Sequence, residues 1–309
     1  MLQINVNNRD YKMDENLITV FTPTFNRAYV LRRLYASLVL QSNMKFEWLI
    51  VDDGSTDDTE MLVNDFKKNS IFSIRYFKYK NGGKHRAINK GVNLAKGFLF
   101  FIVDSDDQLT KDAIEKIYEW EKSIEKDEGF AGVSGNKGDI FGNLLGATFK
   151  GKYIDATNIE RKENNILGDK SEVYYTDILK RFPFPEIEGE TFMTEAIVWD
   201  RIAEAGYKIR WFNEIIYIVE QRSDGLIAQG NLRYANNPRG YALFVMQTDR
   251  IFRLTWREKL YSGYYYYDVV KSKVSLNQAS KLLNRNTFIF VLFYIFQSCK
   301  IFIKRRIVA

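Results

Sequence analysis

The sequence predicts an α/β fold in which helices flank a mainly parallel sheet, followed by a helical, basic C-terminal extension. Between about residues 17 and 104, apolar strand patterns alternate with amphipathic helix patterns, and the links between them are short. This alternation is typical of right-handed βαβ units, which build parallel sheets. After Pro238 the pattern changes to helices rich in aromatic residues, Leu, Lys and Arg, which distinguishes the extension.

The individual elements follow from the spacing of apolar residues. Each strand is a short apolar run, and each helix repeats apolar residues three or four positions apart. Residues 1–16 are expected to form a polar arm, and residues 130–193 to supply loops and a mixed edge of the sheet, with glycines that indicate turns. The predicted strands are 17–22, 46–51, 71–77 and 98–103, and the predicted helices are 27–41, 57–68 and 84–96.

Composition limits the chemistry that the chain can perform. Of 309 residues, 46% are hydrophobic, which is enough for a large core in one or two domains. Cys299 is the single cysteine and His85 the single histidine, so intrachain disulfides, thiolate clusters and His-rich zinc sites are excluded. The chemistry must come mostly from carboxylates, amides, hydroxyls and basic groups. The N-terminus has no apolar signal segment and no apolar run is long enough to cross a bilayer, so a cytoplasmic location is expected.

Polar clusters follow all four predicted strands. In a parallel sheet these positions share one edge, where ligands bind to open α/β folds. Lys84, His85 and Arg86 at a helix start can face phosphate oxygens, although a solvated basic helix start is the alternative. Three carboxylates in 104–107 suit a divalent cation, and the alternative is a turn and helix start. The clusters are 23–27, 52–55, 81–86 and 104–107.

These clusters resemble the motifs of family-2 glycosyltransferases with the GT-A fold. The matching segments are Thr22-Pro23-Thr24-Phe25-Asn26-Arg27, Val51-Asp52-Asp53-Gly54-Ser55-Thr56-Asp57, Asn81-Gly82-Gly83 with Ala87-Ile88-Asn89-Lys90-Gly91, and Asp104-Ser105-Asp106. The resemblance is specific over about residues 17–110 and weaker to about 225. It implies inverting transfer of a sugar from a nucleotide-sugar, typically UDP-linked, with Mg²⁺ or Mn²⁺ on the DxD motif.

The resemblance also implies roles for individual residues on the donor side. Pro23, Phe25 and Asp53 would hold the nucleotide base, with Arg27 close by. Asp104 would contact ribose or metal and Asp106 would be the main metal ligand. The remaining residues assigned to the donor site are Lys84, His85, Ser105 and Arg222, the last within a predicted lid at 222–226 that could equally be a surface loop.

An inverting transfer needs a base for the acceptor hydroxyl. The family places it in an acidic pair before a helix of the form W-x-R-x-A-x-x-G-Y, which residues 199–207 match. Thr194 replaces the first acid of the pair and Glu195 occupies the position of the base. Glu190 is the reserve candidate, and the alternative for Glu195 is an ordinary acidic residue near a helix start.

The extension carries most of the positive charge. The formal charge is +6, but residues 239–309 hold 13 Lys or Arg and three acidic residues, a net of +10. The apolar segment 288–296 precedes Lys300 and the basic residues 304–306, a pattern typical of a helix lying on an anionic membrane surface. The alternatives are packing on the body of the protein or on a second copy in a homodimer. No RNA-binding module accompanies the charge, so nucleic acid is not expected as a partner.

Together these observations predict a catalytic domain at 1–225, with the nucleotide-sugar half at 17–110 and the acceptor half at 111–225, and a membrane-associated helical region at 226–309. The expected function is sugar transfer to a glycan or lipid-linked acceptor in bacterial surface polysaccharide synthesis, such as capsule, on the inner face of the plasma membrane. The rival hypotheses are a sugar-phosphate nucleotidyltransferase and a non-catalytic, membrane-bound nucleotide-sugar binder.

Overall fold

The computed structural model describes residues 14–125, 129–220 and 230–308, with side chains up to residue 299 except that of Glu15. The strands are β1 (Asp14–Thr24), β2 (Phe46–Asp52), β3 (Ser73–Lys78), β4 (Gly97–Ile102), β5 (Gln108–Leu109), β6 (Phe130–Gly138), β7 (Tyr153–Ala156), β8 (Lys170–Tyr175) and β9 (Lys208–Ile218). The helices are α1 (Ala28–Val39), α2 (Thr59–Asn69), α3 (Lys84–Leu94), α4 (Ala113–Lys122), α5 (Thr176–Arg181), α6 (Ala196–Glu204), α7 (Leu232–Ala235), α8 (Pro238–Ile251), α9 (Trp256–Val270), α10 (Leu276–Leu282) and α11 (Thr287–Val308).

A mixed sheet organises the first two thirds of the chain. Its order is β3-β2-β1-β4-β8-β6-β9-β5, with β7 added beside β9. The first four strands are parallel, as the βαβ pattern predicts, and β8 joins β4 antiparallel. The sheet is mixed where residues 130–193 join it, as predicted, because β6 pairs antiparallel with β8 and parallel with β9. An α/β architecture with a mostly parallel central sheet is therefore confirmed, and so is a helical C-terminal region.

The sequence missed two features of the strands. Residues 14–16 belong to β1 and not to a polar arm, because Asp14 pairs with Gly97 at the start of β4. The glycines at 132, 135 and 138 lie inside strand β6 and not in turns. Close packing explains one of them, since a Cβ on Gly135 would lie 2.8 Å from the Trp120 ring.

The chain divides into two compact units that do not follow sequence order. One unit contains the sheet and comprises the chain up to Asn81, Ala87–Arg181 and Tyr207–Glu220. The other comprises Gly82–Arg86, Phe182–Gly206 and the chain from Gln221 onward. The boundary expected at residue 225 stays a prediction.

The second of these units, called the helical unit below, has a core of its own. Tyr266, Val270, Ala279 and Phe290 are completely buried and bring α9, α10 and α11 together. Tyr266 also donates a hydrogen bond to the carbonyl of Pro238 at the start of α8, 2.8 Å away. Within the ranges described above, none of the helices combines the length and apolarity needed to cross a membrane.

Candidate active site

The parallel strands end at a common edge, which brings three of the predicted clusters together. Thr24 at the end of β1 pairs with Asp52 at the end of β2, and Phe21 pairs with Ile102 at the end of β4. The residues after these strands therefore emerge side by side. These are the clusters at 23–27, 52–55 and 104–107.

Asn26 ties the first cluster to the second. Its φ of 53° is left-handed, a region that Asn tolerates better than most residues. Its backbone N–H donates to Ser55 Oγ at 2.8 Å, and its Oδ1 accepts from the N–H of Thr56 at 2.7 Å. Asp57 adds a bond from the N–H of Ala28, 3.0 Å away, where α1 begins. No role was predicted for Asn26 from the sequence, although Asn before a helix start is a usable signal.

The two carboxylates that end β2 have different environments. Asp52 is completely buried and accepts from the Ser55 N–H at 2.6 Å and from the Tyr76 hydroxyl at 2.5 Å, so its role is structural. The backbone N–H of Asp53 donates to the carbonyl of Thr24 at 2.8 Å. Phe25 beside it is 46% exposed, which leaves an aromatic face available. This pairing of an aspartate held by its backbone with an accessible ring suits recognition of a nucleotide base.

Tyr217 and Asp107 anchor the DxD turn. The Tyr217 hydroxyl accepts from the backbone N–H of Asp104 at 2.9 Å and donates to Asp107 Oδ2 at 2.8 Å. The N–H of Glu220 donates to the other oxygen of Asp107 at 3.2 Å. Asp107 caps no helix, since α4 begins later, at Ala113. Tyr217 lies too far away in sequence for any local pattern to indicate this role.

Asp107 is the carboxyl of the turn that is buried. Burial, reinforced by the nearby Asp104 carboxylate, raises the pKa of Asp107 to about 7, and the hydrogen bond from Tyr217 opposes that rise. Asp104 and Asp106 are only partly buried, whereas Ser105 is buried between them. The accessible carboxylates of the turn are therefore those of Asp104 and Asp106.

The donor atoms of this turn fit a hard divalent cation that is shared with a ligand. No group of three or more His, Cys, Asp or Glu side chains among the described residues could hold a metal ion by itself. Mg²⁺ and Mn²⁺ are commonly held by one or two carboxylates, with phosphate oxygens and water completing the shell. Asp104 and Asp106 match that arrangement.

The helical unit contains the predicted base, and Lys84 lies next to it. Lys84 Nζ is 2.9 Å from Glu195 Oε1, and both side chains remain partly exposed. Glu195 stands at the residue before α6, yet its side chain makes no capping hydrogen bond with that helix. The carboxylate of Glu195 therefore stays partly exposed, and its role as the base stays a prediction.

Glu190, the reserve candidate, occupies a different setting. It is buried, and its oxygens accept from the backbone N–H of Arg239 at 2.8 Å and of Gly240 at 2.7 Å. These N–H groups belong to the first turn of α8, where an anion is favoured by the helix dipole. Glu190 is thus committed to the N-terminus of α8.

The other two basic residues at the start of α3 differ from Lys84: Arg86 is hydrogen-bonded to backbone carbonyls, and His85 is neutral. Arg86 donates to the carbonyls of Gly82, Ile187 and Glu190 at 2.5–2.6 Å. His85 is buried, and burial followed by the charge of Arg86 lowers its pKa to about 4, so it is neutral at pH 7. Lys84 is thus the member of this cluster whose charged group stays partly exposed, and its contact with phosphate stays a prediction. Arg222, assigned to the donor site, lies outside the described residues.

Comparisons with known proteins agree with this geometry. Residues 19–168 match the family described as Glycosyl transferase family 2. A GalNAc(5)-diNAcBac-PP-undecaprenol beta-1,3-glucosyltransferase of Campylobacter jejuni is 28% identical over 222 residues, which cover 69% of this chain and 69% of the relative.

Two solved structures share the fold. S. aureus TarS residues 1–349 in complex with UDP-GlcNAc gives a TM-score of 0.59 at 17% identity, over 90% of this chain and 89% of that one. The mannosyltransferase PcManGT of Pyrobaculum calidifontis, in complex with GDP-Man and Mn²⁺, gives a TM-score of 0.54 at 15% identity. The match covers 91% of this chain and 84% of that one. At these identities the likeness establishes the GT-A fold alone.

The matched segment, residues 19–168, carries the assignment to glycosyltransferase family 2. The sequence motifs, the matched family and the shared fold agree on this assignment. The chain nevertheless spans less than a third of the length of the first curated relatives that it matches.

Proposed function

We propose that this chain is an inverting, metal-dependent glycosyltransferase. It moves a sugar from a nucleotide-diphosphate sugar, most simply a UDP-sugar, to a hydroxyl of a glycan or lipid-linked acceptor in bacterial surface polysaccharide synthesis. The observation that carries the proposal is the common edge of β1, β2 and β4, where Phe25, Asp53, Asp104 and Asp106 emerge together. The undecaprenol-linked acceptor in the name of the Campylobacter jejuni relative supports the acceptor class.

The donor nucleotide is held by the residues of that edge. The Asp53 carboxylate accepts from the imide N–H of the base, while Pro23 and Phe25 pack against its ring and Arg27 flanks it. A divalent cation held by Asp104 and Asp106, when bound, offsets the charge of the leaving diphosphate. Lys84 supplies a second positive charge for the phosphate oxygens.

The transfer itself is a single displacement. The acceptor hydroxyl attacks the anomeric carbon from the face opposite the diphosphate, so the configuration inverts. The bond from the anomeric carbon to the phosphate oxygen breaks, and its electron pair leaves with the nucleoside diphosphate. Glu195 takes the proton of the attacking hydroxyl, the role of a general base.

The proposal is tested by binding and then by turnover. Nucleotide-sugars are screened by thermal shift with and without Mn²⁺, because a ligand that binds the native state raises the melting temperature. The donor found is then incubated with glycan acceptors, and release of nucleoside diphosphate is measured. Pyrophosphate release from a nucleoside triphosphate and a sugar phosphate would replace this proposal with a nucleotidyltransferase. Binding without hydrolysis or transfer to any acceptor would replace it with a non-catalytic binder.

We also propose that the helical region attaches the enzyme to the cytoplasmic face of the plasma membrane. Support comes from α11, where Phe288, Leu292 and Phe296 are exposed although apolar. Their spacing of four residues aligns them along one face of the helix.

A further inference from the structure

The helical unit contains a cavity that the transfer reaction does not use. Its volume is about 360 Å³, and it opens where α8, α9 and the start of α11 meet. We propose that this cavity binds the phosphate headgroup of an anionic membrane phospholipid, which makes it a specific anchor within the proposed membrane-bound surface. The inference rests on the proposed membrane attachment and is independent of the sugar-transfer chemistry. Its lining includes Asp249, Arg250, Trp256, Lys259, Arg285 and Ile289.

The inner wall of the cavity is a fixed polar network. The largely buried Arg285 guanidinium lies 2.6 Å from Asp249 Oδ2 and donates to Ser262 Oγ at 2.9 Å. It also donates to the backbone carbonyl of Lys259. Ser262 in turn donates to Asp249 Oδ1 at 2.7 Å. The charges of Arg285 and Asp249 offset each other, so the network stiffens the wall without making it acidic.

The outer lining is cationic. Lys259 is exposed, and among the described residues its ammonium has no carboxylate within ion-pair distance. Arg250 lies 2.7 Å from Glu204, but its side chain is 65% exposed, so this ion pair is weak and exchangeable. A phosphate oxygen at the cavity would therefore find two accessible cations, those of Lys259 and Arg250.

Large apolar side chains surround the opening. Trp256 is 66% exposed and Ile289, which lines the same cavity, is 51% exposed. The guanidinium of Arg257 sits over the Trp256 ring, 5.2 Å from its centroid. The exposed face of α11 continues from Ile289 through Leu292 to Phe296, at spacings of three and four residues. Tryptophan and arginine beside an apolar helix face are typical of side chains at the headgroup level of a bilayer.

Charge favours a membrane over a second copy of the chain. The three acidic residues after Arg239 are all engaged: Asp249 with Arg285, Asp268 with Lys271, and Glu258 in the cap of α9. A two-fold contact between copies would bring the same unneutralised cations toward each other. An anionic leaflet supplies the opposite charge, at about 1 kcal/mol for each basic residue near the surface.

The tryptophans provide a direct readout. Four of the five are buried, whereas Trp256 is exposed. The buried four are Trp48, Trp120, Trp199 and Trp211. Vesicles of phosphatidylglycerol and phosphatidylcholine should therefore shift the emission of the full chain to shorter wavelength, and Trp256→Phe should abolish the shift. Phosphatidylcholine vesicles alone should cause little shift.

A charge-matched pair of variants tests the cavity itself. Lys259→Ala should weaken binding to the anionic vesicles about fivefold, the factor that corresponds to about 1 kcal/mol. Lys271→Ala removes the same charge from the same unit, but at a lysine already paired with Asp268, and should have a smaller effect. Equal effects of the two variants, or no effect of Lys259→Ala, would overturn the headgroup site. If glycerol phosphate at low concentration shifts the Trp256 emission as the vesicles do, the site binds a soluble ligand and the headgroup proposal is overturned.

Two other results would refute the proposed membrane attachment altogether. Wild-type protein that does not float with any vesicle refutes both the anchor and the proposed attachment. A concentration-dependent dimer whose formation shifts the Trp256 emission without vesicles assigns the face to a second copy. Transfer to a soluble glycan acceptor is measured in parallel with the wild-type protein. Whether transfer is seen or not bears only on the glycosyltransferase proposal.

Discussion

Lys84 Nζ and Glu195 Oε1 form an ion pair of 2.9 Å between the first residue of α3 and the residue that precedes α6. The pair joins a predicted contact of the donor diphosphate to the predicted base. A phosphate that draws the ammonium toward itself would release the carboxylate to accept a proton. Donor binding and base activity would then depend on the same lysine.

Replacing Lys84 should therefore lower kcat as well as weaken donor binding. We expect Lys84→Met to lower kcat/KM about 100-fold or more, a loss of about 3 kcal/mol for a partly buried charged partner. Lys84→Arg should restore part of kcat. Initial rates over a range of donor concentrations separate kcat from KM. A variant that changes KM alone would limit Lys84 to donor binding.

Glu195→Gln should keep the fold and the donor site but lose the chemistry. The side chain is partly exposed and makes no cap, so the amide costs little stability. Loss of a general base lowers kcat by about 10²–10⁴-fold. The measurement is donor affinity by thermal shift together with kcat. Full activity in this variant would move the base elsewhere.

Glu190→Gln should behave in the opposite way. Its charged oxygens accept two backbone N–H groups of α8, and a neutral amide can replace only one acceptor oxygen. We expect a loss of about 1–3 kcal/mol in the free energy of unfolding, measured by urea denaturation. Glu186→Gln, at an exposed partner of Arg86, is the matched control and should cost much less. Normal stability with abolished turnover would instead make Glu190 the base.

Asp106→Asn should remove the metal-dependent part of donor binding. Mn²⁺ should raise the melting temperature of the wild-type protein in the presence of the nucleoside diphosphate, and this increment should vanish in the variant. Asp65→Asn, at an exposed carboxylate on α2, controls for the change of charge. Unchanged Mn²⁺ dependence in Asp106→Asn would exclude this residue as the main ligand.

His85 should make the protein acid-sensitive. Burial lowers its pKa to about 4 in the folded state, against about 6.5 when unfolded. Between those values the unfolded chain binds the proton and the folded chain does not, so stability falls as the pH falls through this window. From pH 7 to pH 5 the wild type should lose about 2 kcal/mol more than His85→Gln, as measured by chemical denaturation. Parallel pH curves for the two proteins would contradict the buried, neutral state.

Local patterns were sufficient for the parallel half of the sheet. The apolar runs that gave β2 and β4 and the amphipathic spacing of α1 located these elements within a few residues, because burial on a strand or helix leaves a periodic trace. The motifs at Asp53 and Asp104 could be assigned to one edge for the same reason, since parallel strands align their ends.

Contacts between distant segments could not be read from the sequence. Nothing near Glu190 indicates that its carboxylate serves α8, about fifty positions later. Tyr217, which fixes the DxD turn, appears in the sequence as one apolar residue of an ordinary strand. The burial of His85 was equally hidden, because a basic segment at a helix start looks the same whether it faces solvent or the interior.

The helical unit gathers its residues from three stretches of the chain, and this affects how the enzyme could be shortened or recombined. Glu190 holds the start of α8, Gln247 donates to the carbonyl of Ile197 at 3.1 Å, and Arg250 pairs with Glu204. A protein ended at residue 225 would keep Phe182–Gly206, which contains Glu190 and Glu204, but would lose the helices that this segment contacts. The basic extension is therefore not a detachable targeting tail, and grafting it onto another enzyme would transfer only part of a folding unit.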